Sequence, residues 1–372
     1  MLLNESNTEG VIFNKKSKMS AQQSSEIQHL AVQNFTCFEN VQFSFSKGIN
    51  LFIGENGTGK THILKILYSI FNNQTQKYQF ANNPDRKGVI GRDPILEDFP
   101  NVFHSDGFHV QRDRKLDCYI QAVTNNNRWS YQFNDFRSGN SSSSHEASID
   151  CLYMPCQEML SLYKGFIASY ENRENSFDRT YYDLAKKLNA RPLKGKALDE
   201  AQKLLLGFED LLGIKIEERN DQFYITFEKE KLEVEAPLVA EGIKKLGQMI
   251  YLIRNGSLTK DTILFWDEPE VNLNPKYIRL VAEFLMTLAK NGVQIFVATH
   301  DYQLAHYLSI KAEYPERTNA PQMKFFSFYK TENGTQIESG ETLAGIQNNT
   351  LLDEYSALYE LESGLFQQTV KQ

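Results

Sequence analysis

The chain has 372 residues, 41% of them hydrophobic, which is enough for one large domain or a core domain carrying a second lobe and too apolar for a disordered chain. Its net charge of -7 excludes a surface coated throughout in Lys and Arg, so any contact with nucleic acid has to be local. Cys37, Cys118, Cys151 and Cys156 form no CxxC pair and have no histidine at zinc spacing, which fits reduced thiols in a cytoplasmic protein; no apolar run reaches the ~18 residues of a membrane span.

In chain order, residues 1–25 read as a mobile polar tail without a basic-then-apolar leader pattern, with Met19 as an alternative start. Two strand-like runs, "IQHLAVQNF" and "VQFSFS", precede the apolar strand Ile49 to Ile53. A glycine-rich turn follows, and then "THILKILYSIF", which places Ile63, Ile66, Leu67 and Ile70 on one helical face. From Asn72 to Asp150 the short alternating segments "DCYIQAV" and "WSYQF", with a Ser-rich loop at Ser138 to Glu146, suggest a β-rich insertion. After the strand "CLYMP" the sequence turns helical, with Leu198, Ala201, Leu205, Phe208 and Leu212 at helical intervals before Gly213.

The last third alternates again: a buried strand in "DTILFWDEPE", a helix from Pro275 to Lys290, a second buried strand in "VQIFVATH", and a terminal hairpin turning at Asn333-Gly334. Continuous apolar strands alternating with helices imply a parallel sheet covered on both faces. The spans are residues 1–25 (tail), 26–150 (first part of the core with the β-rich insertion), 151–235 (helical lobe) and 236–372 (second part of the core). No internal repeat and no sustained heptad run appears.

Gly54, Glu55, Asn56, Gly57, Thr58, Gly59, Lys60 and Thr61 match G-x-x-x-x-G-K-[ST] in full, between a strand and a helix that His62 helps to open. Such a turn wraps phosphates with backbone N–H groups and adds the positive end of a helix. Lys60 is placed to bridge the β- and γ-phosphates of ATP, and Thr61 to ligate Mg²⁺. Asp267 and Glu268 emerge together at the carboxyl end of an apolar strand, where doubly wound sheets bind ligands. Asp267 suits the Mg²⁺ shell, and Glu268 suits a base that orients and deprotonates water. His300 ends the next buried strand, placed to contact the γ-phosphate and the attacking water.

Together "GENGTGKT", "LFWDEPEVNLNP" and "FVATHD" resemble the ATPase heads of the ABC superfamily, in the RecF, SMC and OLD-type branch. The resemblance covers the chain up to Phe71 and from Ala236 to Ser309, and implies an α/β P-loop NTPase head of ABC type. It implies further that ATP and Mg²⁺ are held between the heads of a homodimer or higher oligomer. Glu241-Gly242 stands where the signature segment meets the partner's γ-phosphate, or else merely opens an amphipathic helix. Gln157 is either the Q-loop ligand of Mg²⁺ or a helix-opening residue, and Asn274 replaces the usual D-loop acid. Phe35 and Phe38 either stack on adenine or pack in the core.

His104 and His109 lack the partners of a metal site, and Arg112, Arg114 and Lys115 read as a solvated turn or a phosphate-backbone contact. OLD-type relatives often append a TOPRIM nuclease, which needs an Asp-x-Asp pair that does not occur here. The expectation is therefore an ATPase controlling a separate effector, a nuclease or toxin, in phage defence, with a slow nucleotide-gated scaffold or a RecF-like DNA-repair clamp as alternatives. The signature is wrong for a transporter, and the missing heptads are wrong for SMC-like tethering.

Overall fold

The structure is a computed structural model that describes residues 26–81, 94–105, 110–135, 138–143, 149–205, 208 and 212–370. The expected tail 1–25 and His109 lie outside the described residues.

The centre is a six-stranded sheet in the order β14-β13-β3-β12-β11-β7. Its strands are β3 (Ile49–Gly54), β7 (Cys151–Met154), β11 (Ile263–Asp267), β12 (Gln294–Ala298), β13 (Met323–Thr331) and β14 (Gly334–Gly340). All neighbours pair parallel except β14, which closes one edge antiparallel to β13. Because both faces are covered, alternate residues of one strand enter different cores. Leu264 and Trp266 of β11 join one cluster with Ile295 and Val297 of β12, while Ile263, Phe265, Phe296 and Ala298 join the other. This is why the strands read as unbroken apolar runs.

The second cluster is built around α1 (Lys60–Ala81), whose Ile63, Ile66, Leu67 and Ile70 are fully buried as their spacing requires. A five-stranded antiparallel sheet, β2-β1-β4-β5-β6, supplies the rest of that core. It contains β1 (Ile27–Phe35), β2 (Phe38–Ser44), β4 (Cys118–Thr124), β5 (Arg128–Asp135) and β6 (Ser138–Ser143). The segment read as a β-rich insertion is thus the completion of the N-terminal sheet: β4 pairs directly with β1, Val32 opposite Ile120. The Ser-rich stretch supplies strand β6 up to Ser143. A helix, α2 (Pro94–Phe103), buries Phe99 and Val102 against the same core.

On the opposite face pack α3 (Phe166–Glu171), α4 (Arg179–Leu188), α5 (Lys196–Leu205), α6 (Glu241–Arg254), α7 (Pro275–Lys290) and α8 (Tyr302–Glu313). The span 151–235 is not wholly helical. It begins with sheet-edge strand β7 and ends in a three-stranded sheet of β8 (Ile214–Arg219), β9 (Gln222–Phe227) and β10 (Leu232–Glu235). Ile214 and Ile216 are buried while Lys215 and Glu217 are exposed, and the β8–β9 turn places both Asn220 and Asp221 at positive φ, the geometry of a tight type I′ hairpin. The β13–β14 turn falls one residue earlier than expected, at Glu332-Asn333, and Gly334 opens β14 at φ 92°. Nor is that hairpin terminal. A four-residue helix, α9 (Pro315–Thr318), precedes β13, and a long helix, α10 (Thr350–Val370), follows β14.

Candidate active site

The glycine turn leaves β3 at Gly54, which lies beside Phe328 of β13. Gly54, Gly57 and Gly59 all have positive φ, and a Cβ at Gly54 would strike the Phe328 carbonyl. At Gly59 a Cβ would meet the Phe38 ring and the Cys37 sulfur, so the turn is pressed onto the antiparallel sheet. The Thr58 hydroxyl donates to the Glu55 carbonyl at 2.8 Å and closes the loop. The first helical bond runs from Ile63 N–H to Gly59, leaving the N–H groups of Lys60, Thr61 and His62 at the mouth, as an anion site requires.

Lys60 donates its Nζ to the Gly54 and Glu55 carbonyls at 2.6 and 2.8 Å. Burial holds its pKa below the ordinary value, while Glu268, Asp267, Glu270 and Glu55 pull it back up. The Thr61 hydroxyl donates to Asp267 Oδ1 at 3.0 Å, and the Tyr153 hydroxyl to Oδ2 at 3.2 Å. The two halves of the motif, distant in sequence, therefore meet. Burial pushes the Asp267 carboxyl up to about 6, with the Thr61 hydrogen bond opposing and Glu268 adding to the rise.

The donor set fits a hard cation: one hydroxyl and one carboxylate in contact, with no cluster of three or more His, Cys, Asp or Glu side chains among the described residues. Mg²⁺ suits it, since that ion keeps most of its water and takes its other oxygens from nucleotide phosphates. A consequence is testable. A proton on Asp267 competes with the metal, so Mg²⁺-dependent ATP affinity should fall as pH drops below about 6, whereas Asp267→Asn should lose that extra dependence and bind Mg²⁺ poorly throughout. Titrations at pH 7.5 and 5 of both proteins, with identical pH profiles, would contradict this assignment.

Glu268 sits at φ 47°, a left-handed conformation uncommon for a side chain of its size, and its N–H donates to the Ala298 carbonyl at 2.9 Å. Its Oε1 lies 3.3 Å from His300 Nδ1, and the Cys156 thiol donates to its Oε2 at 3.5 Å. Glu268 and His300 keep partial exposure, 27% and 41% of their side chains, so both face the mouth. Gln157 follows Cys156 and is exposed at the same sheet edge, while among the described residues the hydrogen bonds of Asp267 come from Thr61 and Tyr153.

The structure also defines the surroundings of Gly242, Phe35, Phe38 and His62. Gly242 is not open backbone: it is buried, and a Cβ there would lie 2.5 Å from Leu273 Cδ2. Helix α6 is tied at its start to the segment after β11, with Asn272 donating to Glu241 at 2.8 Å. Phe35 and Phe38 are fully buried and pack in the core, leaving no face for adenine. The His62 ring shares a hydrogen bond with Thr36 at 2.9 Å and packs edge-on against Phe103, and burial lowers its pKa to about 4; its place in the cradle rests on its backbone. Asn274, the departure from the usual D-loop acid, caps α7 by accepting from Lys276 N–H at 3.0 Å. His104 ends α2 at positive φ, and Arg112, Arg114 and Lys115 are exposed.

Several residues of the site were missed. Glu270, the third acid of "DEPE", accepts from the Thr299 hydroxyl at 2.6 Å and the His300 N–H at 3.1 Å, while its buried Oε2 has no partner. Burial raises its pKa. Lys245 is buried beneath the same loop and donates to the Val271 and Glu268 carbonyls at 2.8 and 3.4 Å. Paired lysines in an otherwise apolar helix, "GIKKLGQMIYLI", were its only signal. Lys330 at the end of β13 places its ammonium 4.0 Å from where a Gly57 Cβ would stand, a second cation beside the turn that only the fold brings near.

A family model described as "AAA domain, putative AbiEii toxin, Type IV TA system" matches residues 49–305. A DNA replication and repair protein RecF from Lactobacillus acidophilus is 34% identical over 65 residues, 18% of this chain and 17% of that protein. An Old nuclease of Escherichia phage P2 is 33% identical over 107 residues, 29% of this chain and 14% of that protein. The chain thus spans less than a fifth of the length of either relative. The SMC head domain from Thermotoga maritima superposes with a TM-score of 0.45 at 13% identity, covering 84% of this chain and 98% of that one. An SMC head bound to the C-terminal winged-helix domain of ScpA gives a TM-score of 0.47 at 14% identity, covering 86% and 98%.

Proposed function

This chain belongs to the AAA-domain family whose model it matches, in the RecF, SMC and OLD branch of ABC-type ATPases, and we propose that it binds ATP with Mg²⁺ and hydrolyses it between two heads, thereby controlling a separate effector protein. The observation that carries this reading is the meeting of Thr61 with Asp267 at 3.0 Å, with Glu268 and His300 paired at 3.3 Å at the neighbouring strand ends. Each group then has one task. The turn's N–H groups and Lys60 neutralise the phosphates, and Thr61 and Asp267 hold Mg²⁺, which supplies charge stabilisation when bound. Glu268 orients a water and takes its proton as the water oxygen bonds to the γ-phosphorus and the bond to ADP breaks. His300, held by Glu268 and Glu270, steadies the γ-phosphoryl oxygens.

The family's description names a putative AbiEii toxin and a type IV toxin–antitoxin system, and that setting is what supports the defence role; the separate effector is part of the proposal. The RecF relative favours DNA repair as the second reading, on 65 aligned residues. DNA-stimulated turnover would separate the two. For the two-head site, sedimentation of the Glu268→Gln protein is expected to show a monomer or resting oligomer without nucleotide and a doubled species with ATP and Mg²⁺. Sedimentation unchanged by ATP, in a protein shown to bind it, would rule out closure across the nucleotide.

A further inference from the structure

Among the described residues, most of the exposed large apolar side chains lie on α10. Leu352, Tyr355, Leu358, Tyr359, Leu361, Leu365 and Phe366 are between 38% and 71% exposed, although soluble surfaces seldom carry so many large apolar side chains together. At 100° per residue they fall within one half of the helix surface, roughly 180° wide, the stripe of a helix that packs against something. The foot of the helix is fixed. Asn349 accepts from the Leu352 N–H at 3.2 Å, and the Tyr355 ring stacks on Tyr302 with centroids 4.2 Å apart. Tyr302 opens α8 two residues after His300, so the foot of α10 touches the element that leaves the nucleotide site.

Charge decides what covers this face. From Thr350 to Val370 the charged residues are Asp353, Glu354, Glu360 and Glu362, with no Lys, Arg or His. Glu362 falls in the middle of the apolar stripe, and Glu354 at its border. Two copies of α10 laid face to face would bring carboxylates together in a drying seam without a cation to offset them. An anionic lipid surface is disfavoured for the same reason. The complement is an apolar face interrupted by Lys or Arg.

We propose that α10 is the docking helix for the effector, and that the effector presents a basic amphipathic helix of a separate polypeptide to it. This deepens the effector reading above and rests on it for the partner's role, but the docking itself can be tested without nucleotide. Through Tyr355 and Tyr302, an occupied α10 would bear on the strand end that carries His300.

The test titrates the full-length, nucleotide-free protein into a fluorescent peptide of Leu/Lys heptads, and into the same peptide with Glu for Lys. The Lys peptide is expected to bind and the Glu peptide not. Leu358→Ser with Leu365→Ser should weaken binding about ten-fold or more, and Glu362→Lys several-fold, with ATP affinity unchanged in both as proof of folding. Equal binding of the two peptides, or no loss in the double variant, overturns the proposal. So does a wild-type dimer that this double variant dissociates, which would assign the face to a second copy, or vesicle binding in place of peptide binding. A protein that passes these tests and hydrolyses no ATP would refute the enzymatic reading alone.

Discussion

Lys60→Ala is expected to lose ATP binding, with affinity falling on the order of 10²-fold or more, the scale of removing two charge-assisted hydrogen bonds. The reason is local. Without ligand the ammonium is held inside the turn by the Gly54 and Glu55 carbonyls, 2.6 and 2.8 Å away, so it is already positioned where phosphates enter. Lys245 cannot replace it, because its own ammonium is engaged under the loop after β11 by the Val271 and Glu268 carbonyls. Lys330 stands outside the turn and offers only a partial substitute. Titration with a fluorescent ATP analogue reads the effect. An affinity equal to that of the parent would remove the assignment of this turn as the phosphate site.

The second large effect is expected at Glu268→Gln, which keeps the shape of the side chain and removes the base. Turnover should drop about 10²-fold or more while ATP still binds, because Lys60, Thr61 and Asp267 are untouched. The geometry makes the substitution tolerable. The backbone at φ 47° is held by the N–H bond to Ala298 and by Lys245, neither of which involves the side chain. Equal loss at Glu270→Gln would shift the emphasis, since Glu270 meets His300 through its N–H and its Nδ1 and acts by positioning it. Loss of ATP affinity in Glu268→Gln, in place of a loss in turnover, would show that this carboxylate serves binding.

What the sequence displayed was whatever is local in the chain. The turn from Gly54 to Thr61 is contiguous, and β11 and β12 are apolar because both faces are buried, so their terminal Asp267, Glu268 and His300 stand out as polar ends. What it hid depends on distant pairing. Nothing near Val32 announces that Ile120 lies opposite, so β4 to β6 read as an insertion and not as the continuation of the N-terminal sheet. The strands β8 and β9 escaped because each is only six residues long: β8 sets exposed Lys215 and Glu217 beside buried Ile214 and Ile216, and β9 sets half-buried Gln222, Tyr224 and Thr226 around buried Phe223 and Ile225. Gly242 read either as a phosphate contact or as a plain helix start, and what the sequence hid is that its missing side chain makes room for Leu273 of the segment after β11. Helix α10 went unread because Glu362 interrupts its apolar stripe.

The central claim is that these converging residues hydrolyse ATP, and release of inorganic phosphate from ATP and Mg²⁺ by the full-length protein tests it most directly, with Lys60→Ala and Glu268→Gln assayed beside it. The account predicts phosphate release by the parent, background from Lys60→Ala with binding lost, and near-background from Glu268→Gln with binding kept. Release by the parent no faster than by Lys60→Ala, in a parent protein that binds ATP, would contradict it.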